Sequence, residues 1–155
     1  MKNYIGISQG QAELLICKLN LLLSNYQIFH RNTRGFHWNI TGGKFSELHL
    51  KFEEIYNNTT FKIDEVAERI LSLGGVPIHS FSEYLVQSEI PEIKNMSNGK
   101  EAVRNLLDGF EVLIRIQREI LQLAADANDE ATNALMSDYI REQEKLVWMF
   151  VAYLK

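Results

Sequence analysis

The chain has 155 residues, of which 46% are hydrophobic and 23% charged, a balance that fits a globular domain and excludes disordered, collagen-like and disulfide-stapled classes. Twenty acidic residues against sixteen basic ones leave a net charge of −4, which counts against a strongly basic nucleic-acid binder. One cysteine forbids an intrachain disulfide, the N-terminus lacks a signal-peptide apolar core, and the longest apolar run, 147–154, falls far short of the roughly 20 residues that span a bilayer. The expectation is a cytoplasmic protein with no membrane segment, forming one domain over residues 1–155.

The first element runs from about Ser8 to Asn39 and is rich in leucine before Tyr26, Phe29 and Phe36. Cys17 lies within that stretch and reads as a buried structural cysteine. The second element, about Phe45 to Leu73, places Phe45, Leu48, Phe52, Ile55, Thr59, Ile63, Val66 and Ile70 at steps of three and four, which keeps one face of a helix apolar. The Thr41-Gly42-Gly43 link is short, so the two helices are antiparallel neighbours. Gly74-Gly75 closes the second helix. A long connection follows, up to Asn98, and within it Ser80-Phe81-Ser82-Glu83 is a capping box that predicts a short extra helix. Asn98 with Glu101 starts a third long helix reaching Asp126, and a fourth spans about Asp129 to Leu154. The sum is an all-α, ferritin-like four-helix bundle with a short helix in the crossover between its second and third helices.

No phosphate-binding glycine loop is present. Four histidines, His30, His37, His49 and His79, carry Gln27, Arg34, Ser46 and Val76 three residues before them, so no Glu-x-x-His pair exists for a di-iron centre inside one bundle. His30 reads as structural and His79 as a loop residue. The second helix still carries His49 with Glu53 and Asp64 with Glu68, each an i,i+4 pair that can present two ligands side by side. Imidazole nitrogen with carboxylate oxygen suits iron and related divalent metals. His49 and Asp64 are separated by about 22 Å of helical rise, whereas metal–ligand bonds are roughly 2 Å. The two pairs therefore share no ion within one chain and can meet only across a two-fold axis between chains. On spacing alone the alternatives stand: Asp64 and Glu68 as a solvated face, Asp64 in a local salt bridge, Glu68 paired with Arg69 or Lys62 across chains, and His37 as a half-buried, hydrogen-bonded histidine.

Read whole, the string resembles the Dps family, the dodecameric mini-ferritins. The residues that carry the resemblance are Asn25-Tyr26-Gln27-Ile28-Phe29, Arg34-Gly35-Phe36-His37-Trp38-Asn39, Phe45-x-x-Leu48-His49-x-x-Phe52-Glu53, Asp64-Glu65-Val66-Ala67-Glu68-Arg69 and Leu73-Gly74-Gly75. The later Phe81-x-Glu83-Tyr84-Leu85 and Glu144-Lys145-x-x-Trp148-Met149 continue it. The resemblance implies a di-iron ferroxidase centre between two-fold-related subunits, with His37 and His49 from one chain, Asp64 and Glu68 from the other, and Glu53 as a further ligand. It implies Fe(II) and hydrogen peroxide as substrates, a homododecamer with 23 symmetry enclosing ferric mineral, and protection of the cell from oxidative damage. Trp38 would lie near the centre, and Asp126, Asp129 and Glu130 would line pores through which iron enters. The family's lysine-rich DNA-binding tail has no counterpart here, since Lys2 is the sole lysine before Lys18 and the chain ends at Lys155. Weak or absent DNA binding is expected; the alternative function is a DNA-compacting structural protein with incidental ferroxidase activity.

Overall fold

A computed structural model describes residues 3–155 as an all-helical chain. Five helices follow one another: α1 (Gln9–Asn39), α2 (Phe45–Ser72), α3 (Phe81–Gln87), α4 (Gly99–Asp126) and α5 (Glu130–Leu154). Helix starts are set by short polar caps that satisfy amides with no partner inside the helix. Ser8 accepts from the Gln11 amide, Ser80 from Glu83, Asn98 from Glu101 and Asp129 from Thr132. Gly42 at φ +105° makes the turn between α1 and α2, and Gly74 at φ +89° ends α2.

α1 packs against α2, α3 and α4, and α4 packs against α5. Leu15, Leu19 and Leu22 of α1, Phe52, Val66 and Ile70 of α2, Leu106, Leu113 and Ile120 of α4 and Met136 of α5 form one apolar core. Full burial of each such side chain stabilises the fold by about 1.5–3 kcal/mol. Gly109 lets α4 approach α1 closely, because a β-carbon there would lie 2.8 Å from the ring of Phe29. Among the described residues no helix is long and apolar enough to cross a membrane.

Three asparagines of α1 fix the path of the long crossover. Asn20 accepts from the Ile78 amide at 2.9 Å and donates to the Val76 carbonyl at 3.2 Å. Buried Asn25 accepts from the amides of Glu89 (3.0 Å) and Ile90 (3.1 Å). Asn32 accepts from Ile93 at 3.0 Å and donates to the Pro91 carbonyl at 2.9 Å. Each amide side chain thus pairs with backbone that has no strand or helix of its own.

At the bundle centre Tyr26 donates to Gln117 (2.5 Å), Gln117 to Gln143 (2.7 Å) and Gln143 back to Tyr26 (2.6 Å). Burial pushes the Tyr26 phenol well above its ordinary range, so it stays protonated and donates. The ring joins α1, α4 and α5.

Cys17 corrects one expectation. It is exposed, not buried. It follows buried Leu15 by two positions, which turns it about 200° around the helix and away from the core.

Candidate metal centre

The last turn of α1 carries His37 and the first turns of α2 carry His49, and the short 40–44 link sets the two side by side. The imidazoles stack at 3.7 Å between centroids with 14° between planes. Each bonds to the other's backbone: His37 Nδ1 lies 2.6 Å from the His49 carbonyl oxygen, and His49 Nδ1 lies 2.7 Å from that of His37. A carbonyl oxygen only accepts, so each Nδ1 carries the hydrogen. This is the tautomer in which the neutral ring presents Nε2 as the lone-pair donor, the form that ligates a metal. His37 is only 7% exposed, so the clamp is held within the packed seam.

Two aromatic rings brace the pair. Phe45 stacks on His49 at 5.0 Å, and Tyr56 meets His37 edge to face at 5.3 Å. Their contribution had a sequence signal, since Phe45 precedes His49 by four residues and Tyr56 follows it by seven, all on one face of α2. Glu53 is half-buried one turn beyond His49, and its carboxylate has no hydrogen bond or ion pair among the described residues.

Asp64 and Glu68 lie farther along α2, exposed, and neither takes part in an ion pair among the described residues. The cations that the sequence offered them are used elsewhere. Lys62 pairs with Glu142 at 2.6 Å, and Arg69 pairs with Asp129 at 2.8 Å. No group of three or more His, Cys, Asp or Glu side chains converges within one chain among the described residues. One chain therefore holds two stacked imidazoles with Glu53 one turn beyond them, and, apart from these, two unpaired carboxylates.

The remaining expected residues are placed as follows. Trp38 is 57% exposed next to His37. Asp126 and Glu130 are exposed, whereas Asp129 is buried. Its carboxylate takes the Thr132 amide (3.1 Å), the Thr132 hydroxyl (2.5 Å) and Arg69. Burial opposes its ionisation, but these three donors outweigh burial and hold the carboxyl below its ordinary range. It is thus committed to capping α5, and of the three acids only Asp126 and Glu130 present themselves to solvent. His30 bonds to the Thr60 hydroxyl at 3.1 Å and packs edge-on to Tyr56 at 5.8 Å. Burial, with Arg31 and Arg34, lowers its pKa and favours the neutral ring. His79 is exposed in the crossover, with Nδ1 3.0 Å from the Pro77 carbonyl oxygen.

The family model of the ferritin-like domain matches residues 16–155. The chain is 41% identical to a DNA protection during starvation protein of Porphyromonas gingivalis, over 96% of this chain and 93% of that one. It superimposes on the crystal structure of a Vibrio cholerae Dps protein with a TM-score of 0.96 and 56% identity, covering 97% of this chain and 95% of that one. The chain belongs to the Dps family of ferritin-like proteins. A Bacillus brevis Dps structure matches with a TM-score of 0.91 at 32% identity, over 96% of this chain and 100% of that one. The Vibrio protein is described as a member of a superfamily of ferritin-like diiron-carboxylate proteins. The five-helix arrangement, with α3 between α2 and α4, is the ferritin-like fold expected from the sequence.

Proposed function

We propose that this Dps-family protein oxidises Fe(II) with hydrogen peroxide at centres shared between two chains and stores the ferric product within a hollow homododecamer of 23 symmetry. The observation that carries the reading is the reciprocal His37–His49 clamp, which engages both Nδ1 atoms and leaves both Nε2 atoms available to a metal. Asp64 and Glu68 of a two-fold-related chain complete the ligand set, and Glu53 adds a carboxylate beside the histidines. Two Fe(II) each give one electron to peroxide, which takes up two protons and leaves as two waters, so no hydroxyl radical is released. The chain's own part is to orient the imidazoles before iron arrives and to supply carboxylate charge that favours Fe(III) over Fe(II).

Asp126 and Glu130 attract cations at the pores, a long-range effect of summed negative potential. DNA binding is weak or absent at physiological salt, since a net charge of −4 leaves little electrostatic drive toward phosphate. The lysine nearest the N-terminus, Lys2, lies outside the described residues. The deciding experiment mixes the purified protein with Fe(II) and peroxide, follows oxidation optically and measures the mass of the assembly. Peroxide-dependent oxidation above buffer by a twelve-chain particle is expected. A monomer or dimer, or oxidation no faster than in buffer, sinks the reading.

A further inference from the structure

Arg34 occupies an unusual place. Its guanidinium carbon sits 5.0 Å from the ring centroid of Trp38, one turn along α1, and 5.5 Å from that of Tyr56 on α2. No ion pair among the described residues involves it, and its Nε is buried without a hydrogen-bond partner. Tyr56 in turn touches His37 edge-on. Within one chain, a guanidinium that pairs with no acid is therefore held near two oxidisable rings at the edge of the histidine clamp.

We propose that Arg34 protects Trp38 and Tyr56 from one-electron oxidation. A cation over an aromatic face is attracted by the electron density of the ring. Removing an electron converts that attraction into repulsion between two positive charges, so the stacked guanidinium raises the potential needed to oxidise either ring. An acid paired with Arg34 would cancel much of this effect, and within the chain no described acid pairs with it. The half-buried position strengthens it, because solvent screens the charge less there than at the surface. Trp148, the other tryptophan, is 66% exposed on α5 and has no cation stacked on it among the described residues, which makes it an internal contrast. The benefit to the protein rests on the iron-oxidising reading, since oxidants would arise beside these rings, but the electrostatic effect itself does not.

The test uses the iron-free full-length assembly, so its outcome is independent of ferroxidase activity. In a Trp148→Phe background, hexachloroiridate(IV) at high salt takes one electron from the Trp38 indole and becomes iridate(III), while the indole radical releases its N–H proton to water. The rate is read from loss of the iridate(IV) colour, and Trp38→Phe in the same background supplies the rate to subtract. Arg34→Gln is expected to speed Trp38 oxidation about threefold, the factor that follows from losing one partly exposed cation–π contact. Arg34→Lys, which keeps the charge, should fall between that variant and the parent. If Arg34→Gln does not assemble, as judged by mass and circular dichroism, Arg34→Met keeps the aliphatic packing and carries the same expectation. An assembled Gln or Met variant that is oxidised no faster than the parent overturns the proposal. A role confined to packing would shift thermal stability and leave the oxidation rate unmoved.

Discussion

At the bundle centre, Tyr26, Gln117 and Gln143 close a ring in which every group both donates and accepts. At the α1–α2 seam, His37 and His49 also satisfy one another, yet each keeps one nitrogen free. Both clusters are packed polar groups in an apolar surround, and both are held by short hydrogen bonds. The difference is which atoms are used: every polar side-chain atom of the closed ring has a partner within it, whereas the clamp leaves one nitrogen of each imidazole unused. Buried polarity alone therefore marks no site, whereas buried polarity with one acceptor left over on each side chain does.

That contrast can be broken most decisively at the two exposed carboxylates of α2, Asp64 and Glu68. Replacing Asp64→Asn with Glu68→Gln is expected to slow peroxide-dependent Fe(II) oxidation by about 100-fold or more, because both ligands keep their shape and lose their charge. Thermal stability should change by no more than about 0.5 kcal/mol, since both side chains are exposed and unpaired. Oxidation at the parental rate would remove these residues from the centre.

The closed ring should respond in the opposite way. Gln143→Leu leaves the Gln117 Nε2 amide without an acceptor in the core and the Tyr26 hydroxyl with one partner instead of two, and a loss of about 2–3 kcal/mol in denaturant unfolding is expected. Iron oxidation per folded particle should stay within about twofold of the parent, an indirect effect being the most that a remote packing change exerts. An activity loss matching that of the carboxylate variant would show the two clusters to be coupled.

Asp129 gives a smaller effect with a pH signature. Asp129→Asn removes the charge that Arg69 and the start of α5 use, and about 1 kcal/mol of stability is expected to be lost at neutral pH. Because the folded carboxyl has a lowered pKa, its contribution is fully present above the unfolded value near 3.8 and is lost as pH falls through the folded value. Parent and variant should therefore begin to converge only below about pH 3.8 and meet once the folded carboxyl is protonated. A gap that persists in acid would trace the stabilisation to the cap's shape instead of its charge. Least of all, Cys17→Ala should shift the melting transition by no more than about 0.5 kcal/mol. A larger shift would return Cys17 to the core.

Much of this was legible in the residues. Steps of three and four gave the long helices, and Ser80, Asn98 and Gly74 marked where elements start and stop. The impossibility of one chain joining His49 to Asp64 followed from helical rise alone. What stayed hidden depended on the lateral register of one helix against another. Nothing in the spacing of His37 and His49 states that each imidazole reaches the other's carbonyl. Nor does the sequence show that Arg69 turns to Asp129 and Lys62 to Glu142, which leaves Asp64 and Glu68 unneutralised. Cys17 was misread for a different reason: its leucine-rich neighbourhood outweighed its angular position, although the helical period held the answer.

The crossover carries one more consequence, for how its sequence can vary. Asn20, Asn25 and Asn32 belong to α1, yet they hold the backbone of Ile78, Glu89, Ile90 and Ile93. The instructions for the loop's path are thus stored in a helix that precedes it by dozens of residues. Backbone amides are common to every residue except proline, so most loop positions are free to drift so long as Tyr84 and Ile90 keep their apolar anchors. Change at a single one of the three asparagines, in contrast, would release several loop residues at once.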